Sequence, residues 1–418
     1  MSGDGGSVSY RDIFAHRLAG RLWVAATVSY FGDFIGLGTL LYMGYERSGG
    51  RPLGPAAVFA VQAIPAVAVA AVLGPWLDRI PRITGLTSLC LIGTSALALP
   101  LAAPGLWPVL TTAAIIGAVR TAFNSIRSGT MADGLPRPLR ARLLGLMNVS
   151  YETCEVIGYG AGSGVAIAIG AGPALGADAA TFLAAAALFT GLRVPAAAST
   201  RQRLSISAGI RAIFGDQTLA MLAPVAWVGL AMGALPAALA TSALHGSYRA
   251  WVPTAMAAGA AGLGVAGTIT GRSNLAERVG GQLCYIVAGG MLFVLTGLGV
   301  ALTPLLIVAG NLAVGAGMGW IVAVQTTFML VIPPARMAHV TSTMIASLIV
   351  LEGAGAVIFG AVANSLGVSV AYLLAGGGQM AAGLTGLRYV QQRPRVLDIA
   401  RTPPGDPPLA RSTPSQAG

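Results

Sequence analysis

The sequence predicts an all-α membrane protein with twelve transmembrane helices in two pseudo-symmetric six-helix bundles. Three observations carry that prediction. The 418 residues are 55% hydrophobic and 9% charged, with mean hydropathy +0.75. A soluble domain carries about 25% charged residues, so most of this surface must face lipid. Apolar stretches of about 20 residues, the length that crosses a bilayer, recur along the chain. They lack the period-2 alternation of a membrane barrel, and helices are the other way to satisfy a backbone in hydrocarbon. Glycine (58 residues) and alanine are abundant, which suits close helix–helix contact in lipid.

In chain order the spans are predicted at 22–45, 55–77, 83–103, 106–126, 143–168, 174–192, 218–243, 250–271, 281–302, 304–331, 340–363 and 366–387. Arginines before the first span precede an apolar run too long for a signal-peptide core, so that run is read as a retained first helix. All 25 basic residues are arginine. With the N-terminus inside, the predicted cytoplasmic segments hold 21 of them, the opposite side holds Arg47, Arg51 and Arg249, and Arg120 alone falls within a span. The bias places both termini in the cytoplasm of a cell (inner or plasma) membrane protein. It also argues against nucleic acid as the partner of the +11 charge, because no soluble face collects the arginines. Cys90, Cys154 and Cys284 each fall in apolar segments and give neither a disulfide framework nor a metal spacing.

The longest polar connection, VPAAASTRQRLSISAGIRAIFGD, divides the spans into two groups of six. The expected organisation is an N-terminal arm (1–20), a first six-helix bundle (21–193), a cytoplasmic linker (194–216) whose LSISAGIRAIF portion can form an interfacial helix, a second bundle (217–390), and a Pro-rich tail (391–418) read as disordered. Two equal helical halves are the outline of an alternating-access transporter.

Between spans two and three, GPWLDRIPR places Gly74, Asp78, Arg79 and Arg82 in a G-x-x-x-D-R-x-x-R spacing. The glycine permits close helix approach. Asp78 can accept from a helix N-terminus, and the arginines can pair with carboxylates or lipid phosphates. Such contacts can latch two halves on one side. This loop resembles the signature of the major facilitator superfamily, with Pro81 and Ile83 where glycine and a second basic residue are usual. VSYFGDF in the first span resembles the S-x-x-G-D pattern of drug:proton antiporters related to macrolide and tetracycline efflux proteins. NSIRSGTMADGLPRPLRARLLGLMN and GADAATFLAAAAL resemble that branch's stretches after the fourth helix and at the start of the sixth. The resemblance runs over residues 20 to 390, and it implies a secondary transporter without enzymatic activity or cofactor.

The first span, WVAATVSYFGDFIGLGTLL, carries Asp33 at its middle. A mid-span Asp costs about 2.5–3.5 kcal/mol on insertion scales, and a buried carboxyl favours its neutral form unless a cation is near. Intramembrane ionisable groups are functional by default. The resemblance places Asp33 beside Arg120 of the fourth span, since both helices line the central cavity of that fold; a static ion pair fixing helix packing is the alternative. YETCE in the fifth span puts Glu152 and Glu155 three apart on one helix face, where two carboxylates repel and one tends to hold a proton. Resemblance to an N-x-x-Y-E segment, matched by Asn148, Tyr151 and Glu152, favours Glu152 of the two carboxylates, and Asn148 and Tyr151 are further candidates to line the substrate path. Glu352 of the eleventh span is expected to face Asp33 across the substrate path, making the cavity acidic and suited to a cationic or amine-bearing substrate. Asn311 and Gln325 are further polar candidates, with helix-packing hydrogen bonds as their alternative role. Asp178 is read as a structural charge near the outer start of the sixth span.

GYGAGSG, with Gly158, Gly160, Gly162 and Gly164, resembles the family's antiporter-associated glycine stretch, and its small residues predict close helix packing. GLGVAG at Gly262, Gly264 and Gly267 spells a dinucleotide fingerprint but follows no strand, so it fails its context test. The expectation is proton-coupled efflux of a small amphipathic molecule by a monomer in the bilayer. Uptake of a nutrient or lipid-like solute on the same fold is the alternative, and a non-transporting sensor or scaffold is the reading from another class.

Overall fold

A computed structural model of the chain describes residues 10–69, 80–192, 206–244, 246–300, 303–332 and 334–392. Gly74, Asp78, Arg79, linker residues 194–205 and the tail beyond 392 lie outside the described residues. Among those described, the regular elements are all helical. The first group comprises α1 (Tyr10–Ala15), α2 (Arg17–Arg47), α3 (Leu53–Ala68), α4 (Arg82–Ala96), the single turn α5 (Leu99–Ala102), α6 (Leu106–Gly134), α7 (Arg137–Ile169) and α8 (Ala171–Phe189). After α9 (Ile206–Phe214) come α10 (Gln217–Leu230), α11 (Leu235–Ala243), α12 (Val252–Gly271), α13 (Val279–Gly299), α14 (Pro304–Gly317), α15 (Trp320–Val331), α16 (Pro334–Leu366) and α17 (Val368–Gln391). Nine helical segments among the described residues are long and apolar enough to cross a membrane. The other three predicted spans coincide with α3, α7 and α17.

Local chemistry sets the ends of these helices. His16 accepts the amide of Ala19 at 3.4 Å and starts α2, and Asp216 accepts those of Thr218 and Leu219 at 2.9 and 3.0 Å to start α10. Both satisfy donors that a helix N-terminus leaves orphaned. Gly170, between α7 and α8, has φ 95° and ψ 163°; Gly367, between α16 and α17, has φ 95° and ψ 157°. These near-identical turns join the fifth to the sixth crossing and the eleventh to the twelfth, positions that correspond in the two groups of helices. Only glycine takes that backbone without strain.

Two predicted spans are not continuous. The seventh breaks at residues 231–234, between α10 and α11, and the tenth breaks at Met318 and Gly319, between α14 and α15. The fourth runs on to Gly134, so Arg127, expected in a loop, sits inside α6. Helix α9 falls where an interfacial helix was expected: Ile213 is buried, Ile210 and Phe214 are exposed, and Phe214 meets Trp227 edge-on at 6.0 Å.

One buried core gathers Leu22, Leu40, Phe123, Phe182 and Phe189, and a second gathers Leu222, Phe293, Trp320 and Tyr372. The first core also takes in Ala240, Leu244, Val252 and Met256 from the later helices. α12 passes α7 closely, with Ala257 at 3.4 Å and Pro253 at 3.5 Å from methyls placed on Gly160 and Gly164. α16 passes α3, Gly353 against Ala63 and Gly360 against Ala56. These contacts run from mid-bundle to the end that carries the 48–52 and 246–251 connections. At that end the two groups of helices are sealed together.

Candidate functional site

The central site begins with the close packing of α2 on α8. Gly32 and Gly36 lie one turn apart on α2, and a Cβ on either would strike the carboxylate of Asp178. The missing side chains leave a small cavity, with room for about one water (≈ 10 Å³), whose lining includes Asp33, Gln62, Arg120 and Asp178. Asp33 and Arg120 thus meet across this space, and among the described residues no direct ion pair joins them.

Arg120 is the hub of a wider cluster. Tyr151, Asp33, Tyr159 and Glu352 lie within its electrostatic reach. Glu155 interacts with Glu152, Glu352 and Arg120. Asp33, Arg120, Glu152, Glu155 and Glu352 are all half-buried, as expected of groups that face an internal space. The structure brings together, from α2, α6, α7 and α16, what the sequence offered as Asp33 with Arg120, Glu152 with Glu155, and Glu352. Glu352 lies within electrostatic reach of Arg120 and Glu155. Tyr30, Tyr151, Phe34 and Tyr159 form an aromatic wall beside the cluster, with successive ring centroids 5.1, 5.0 and 5.2 Å apart. Such edge-on and tilted contacts fix ring orientation.

The break in the seventh crossing positions Glu352. A Cβ on Gly233 would lie 2.8 Å from Glu352 Oε1, and one on Gly355 would strike the carbonyl of Ala231. α16 can carry its carboxylate against the start of α11 only because both positions are glycine. Unwound segments at the membrane midplane are where transporters place polar groups, and a carboxylate near a helix N-terminus is favourably placed.

Several residues fall elsewhere than expected. Asp178 is not at a helix start: α8 begins at Ala171, so Asp178 lies two turns in, 1% exposed, packed on Gly32 and Gly36 and lining the same cavity as Asp33. Arg127 is buried, donates to the Tyr30 hydroxyl and stacks 5.2 Å over its ring. Asn311 does not line the cavity. It is fully buried, donates to the carbonyls of Pro236 and Ala255 at 3.3 and 3.1 Å, and accepts from the Tyr372 hydroxyl at 2.8 Å. Gln325 and Asn148 are exposed, while Tyr151 is half-buried in the cluster. Of the loop motif, Arg82 is described. It opens α4 and pairs with Asp133 at the end of α6 at 3.3 Å, a partner the sequence did not single out. Gly158 and Gly162 pack on α2, and Gly160 and Gly164 face α12. Gly262 and Gly267 of the decoy motif are helical, packing on α14 and α15. Among the described residues, no group of three His, Cys, Asp or Glu is placed to hold a metal ion.

A family model described as Major Facilitator Superfamily matches residues 22–348. No curated protein matches the chain closely enough to count as a relative. Among solved structures, the nucleoside transporter NupG is 15% identical, superposes with TM-score 0.69, and aligns over 88% of this chain and 98% of its own. The peptide transporter POT, in complex with sulfate, is 13% identical with TM-score 0.68, over 94% and 97%. A bacterial homologue of the human lysosomal transporter Spinster, inward-facing and unoccupied, is 16% identical with TM-score 0.62, over 90% and 97%. At these identities the likeness is one of fold.

Proposed function

Because the chain belongs to the Major Facilitator Superfamily, and is a multi-pass membrane transporter rather than an enzyme, we propose that it exports small amphipathic molecules in exchange for protons. The observation that supports this is the convergence of Asp33, Glu155 and Glu352 on the single guanidinium of Arg120. More carboxyls than cations share a half-buried space, so some must be neutralised by protons or by a cationic substrate. Tyr151, half-buried in the cluster and backed by the buried rings of Tyr30, Phe34 and Tyr159, offers the apolar body of such a substrate a surface.

The cluster draws on helices from both predicted bundles, 21–193 and 217–390, so rocking one against the other changes which carboxyls Arg120 serves. A proton taken on one side stabilises one arrangement; its release on the other side, with substrate bound in its place, stabilises the second. A ligand shifts such an equilibrium only through its different affinity for the two states, and redistribution around Arg120 supplies that difference. On this reading the protein works as a monomer in the cell membrane. The arginine-rich connections and both termini are cytoplasmic, and the Arg82–Asp133 pair lies at the cytoplasmic end.

A growth-inhibition panel in a sensitive host identifies substrates, and proteoliposomes with an imposed pH gradient test the coupling. Wild type is expected to move substrate only while the gradient persists, and Asp33→Asn to lose gradient-driven movement. Transport indifferent to collapse of the gradient removes the coupling. Expression that raises cellular accumulation instead of lowering it replaces export with uptake.

A further inference from the structure

The small cavity between α2, α3, α6 and α8 holds two polar side chains that each keep one atom without a hydrogen-bond partner, Thr181 being the hydrogen-bonding neighbour of Asp178. Asp178 is 1% exposed and its Oδ1 has no hydrogen-bond partner; Gln62 is 6% exposed and its Nε2 has none. Both line the same space as Asp33 and Arg120. A buried polar atom without a partner costs about 1–3 kcal/mol, and native interiors seldom leave two at one place. The fold nevertheless makes room for the arrangement, since Gly32 and Gly36 are bare where a methyl would expel the Asp178 carboxylate.

From this geometry we propose that Asp33 and Asp178 form a proton-sharing carboxyl pair, with Gln62 as its hydrogen-bond partner, and that this pair is the protein's proton-binding site. The identification rests on the proton-coupled reading above and names the site within it.

Charge counting favours a proton over a metal cation. Tyr30 on α2, Cys90 on α4, and Arg120 and Arg127 on α6 are the ionisable groups that act on Asp33. α7 turns Tyr151 and Tyr159 toward Arg120. Arg127 acts on Asp33 from beside Tyr30, and Arg120 is shared with Glu155 and Glu352. Two cations, Arg120 and Arg127, thus serve four carboxyls, Asp33, Asp178, Glu155 and Glu352, so none belongs to the Asp33–Asp178 pair alone, while a guanidinium lining the same cavity repels a bound metal ion. Two carboxyls lining one small cavity resolve this with one proton, an O–H on one donating toward an oxygen of the other through the water the cavity has room for. On release that O–H breaks, the proton passes to water in the cavity, and both aspartates are left as carboxylates facing Arg120. Repulsion between them then gives the helices a reason to rearrange.

Infrared difference spectra of the full-length protein, taken between acid and alkaline buffer, test the pair without any substrate. Wild type is expected to show a protonated-carboxyl C=O component that vanishes on alkalinisation, is unchanged when sodium replaces choline, and is lost in both Asp33→Asn and Asp178→Asn. Removing either carboxyl removes the partner with which the proton is shared. Loss of two different components, one per variant, overturns the pair, as does an unaltered component in Asp178→Asn. A component displaced by sodium at fixed pH also overturns it and makes the site one for a metal cation. Should Asp178→Asn fail to fold, Gln62→Leu keeps both carboxyls and is expected to shift the component's frequency; an unshifted component overturns the proposal. Gradient-driven export with the component intact in Asp178→Asn removes the pair alone. Loss of the component in a protein that exports without a gradient leaves the pair standing and removes the coupling.

Discussion

Arg120 holds the site together because it is the one cation near Asp33, Glu155 and Glu352 alike. Arg120→Leu leaves Glu155 and Glu352 facing one another without that cation, and Asp33 with Arg127 alone. The expected destabilisation at neutral pH is about 1–3 kcal/mol, between that of an exposed pair and a fully buried one. Its pH dependence has a definite sign. Acid protonates the carboxyls and removes their repulsion, so the gap in melting temperature between variant and wild type should narrow as pH falls. A gap constant with pH would show that Arg120 acts by packing alone. The carboxyls of this cluster were legible in the sequence because a charge in the middle of an apolar window stands out from its surroundings and is functional by default. Asp178 and Arg127 were not, because both lie near predicted helix ends, where a charge looks solvated. A hydropathy window cannot place an end to within a turn, and one turn decides whether a side chain meets water or the neighbouring helix. Asp133 escaped for the same reason.

At the level of elements, the glycines of α7 serve two different neighbours, a division hidden in the repeated GYGAGSG. A methyl on Gly162 would strike the Ile35 carbonyl of α2, at a position where Thr39 also donates to the Gly162 carbonyl at 3.2 Å. A methyl on Gly160 would meet Ala257 of α12 at 3.4 Å, an ordinary contact. Gly162→Ala is therefore expected to cost about 1–3 kcal/mol through overpacking, while Gly160→Ala leaves thermal stability near wild type. Equal effects in a melting assay would contradict this division of faces. The sequence announced small residues but not which helix each would touch, because both faces of α7 carry glycine. Breaks in the seventh and tenth crossings were illegible for a related reason. Residues 231–234, AMGA, and the Met318–Gly319 pair are as apolar as their surroundings, so composition does not register that the helix has ended there. Hydropathy records what lipid tolerates, and an unwound turn buried against Glu352 is shielded from lipid by protein.

Over the whole molecule, the twelve crossings were predictable because apolar length is a property of each segment alone, whereas the relation of one bundle to the other depends on contacts no segment contains. α7 against α12 and α3 against α16 close the end bearing the 48–52 and 246–251 connections. If transport proceeds by rocking, this seal must open once in each cycle. Gly160 and Ala257 face one another across it with a Cβ separation of 3.4 Å, near the roughly 3.5–4.5 Å that a disulfide bridges. In a background with Cys90, Cys154 and Cys284 replaced, Gly160→Cys with Ala257→Cys should cross-link on oxidation and hold the seal shut. Substrate movement in proteoliposomes should then stop and should return on reduction, while either single cysteine moves substrate regardless of oxidant. Undiminished movement in the fully cross-linked protein would mean that this seal never opens. The two groups of helices would then be one rigid body, and redistribution of carboxyls around Arg120 could not be the motion that couples protons to substrate.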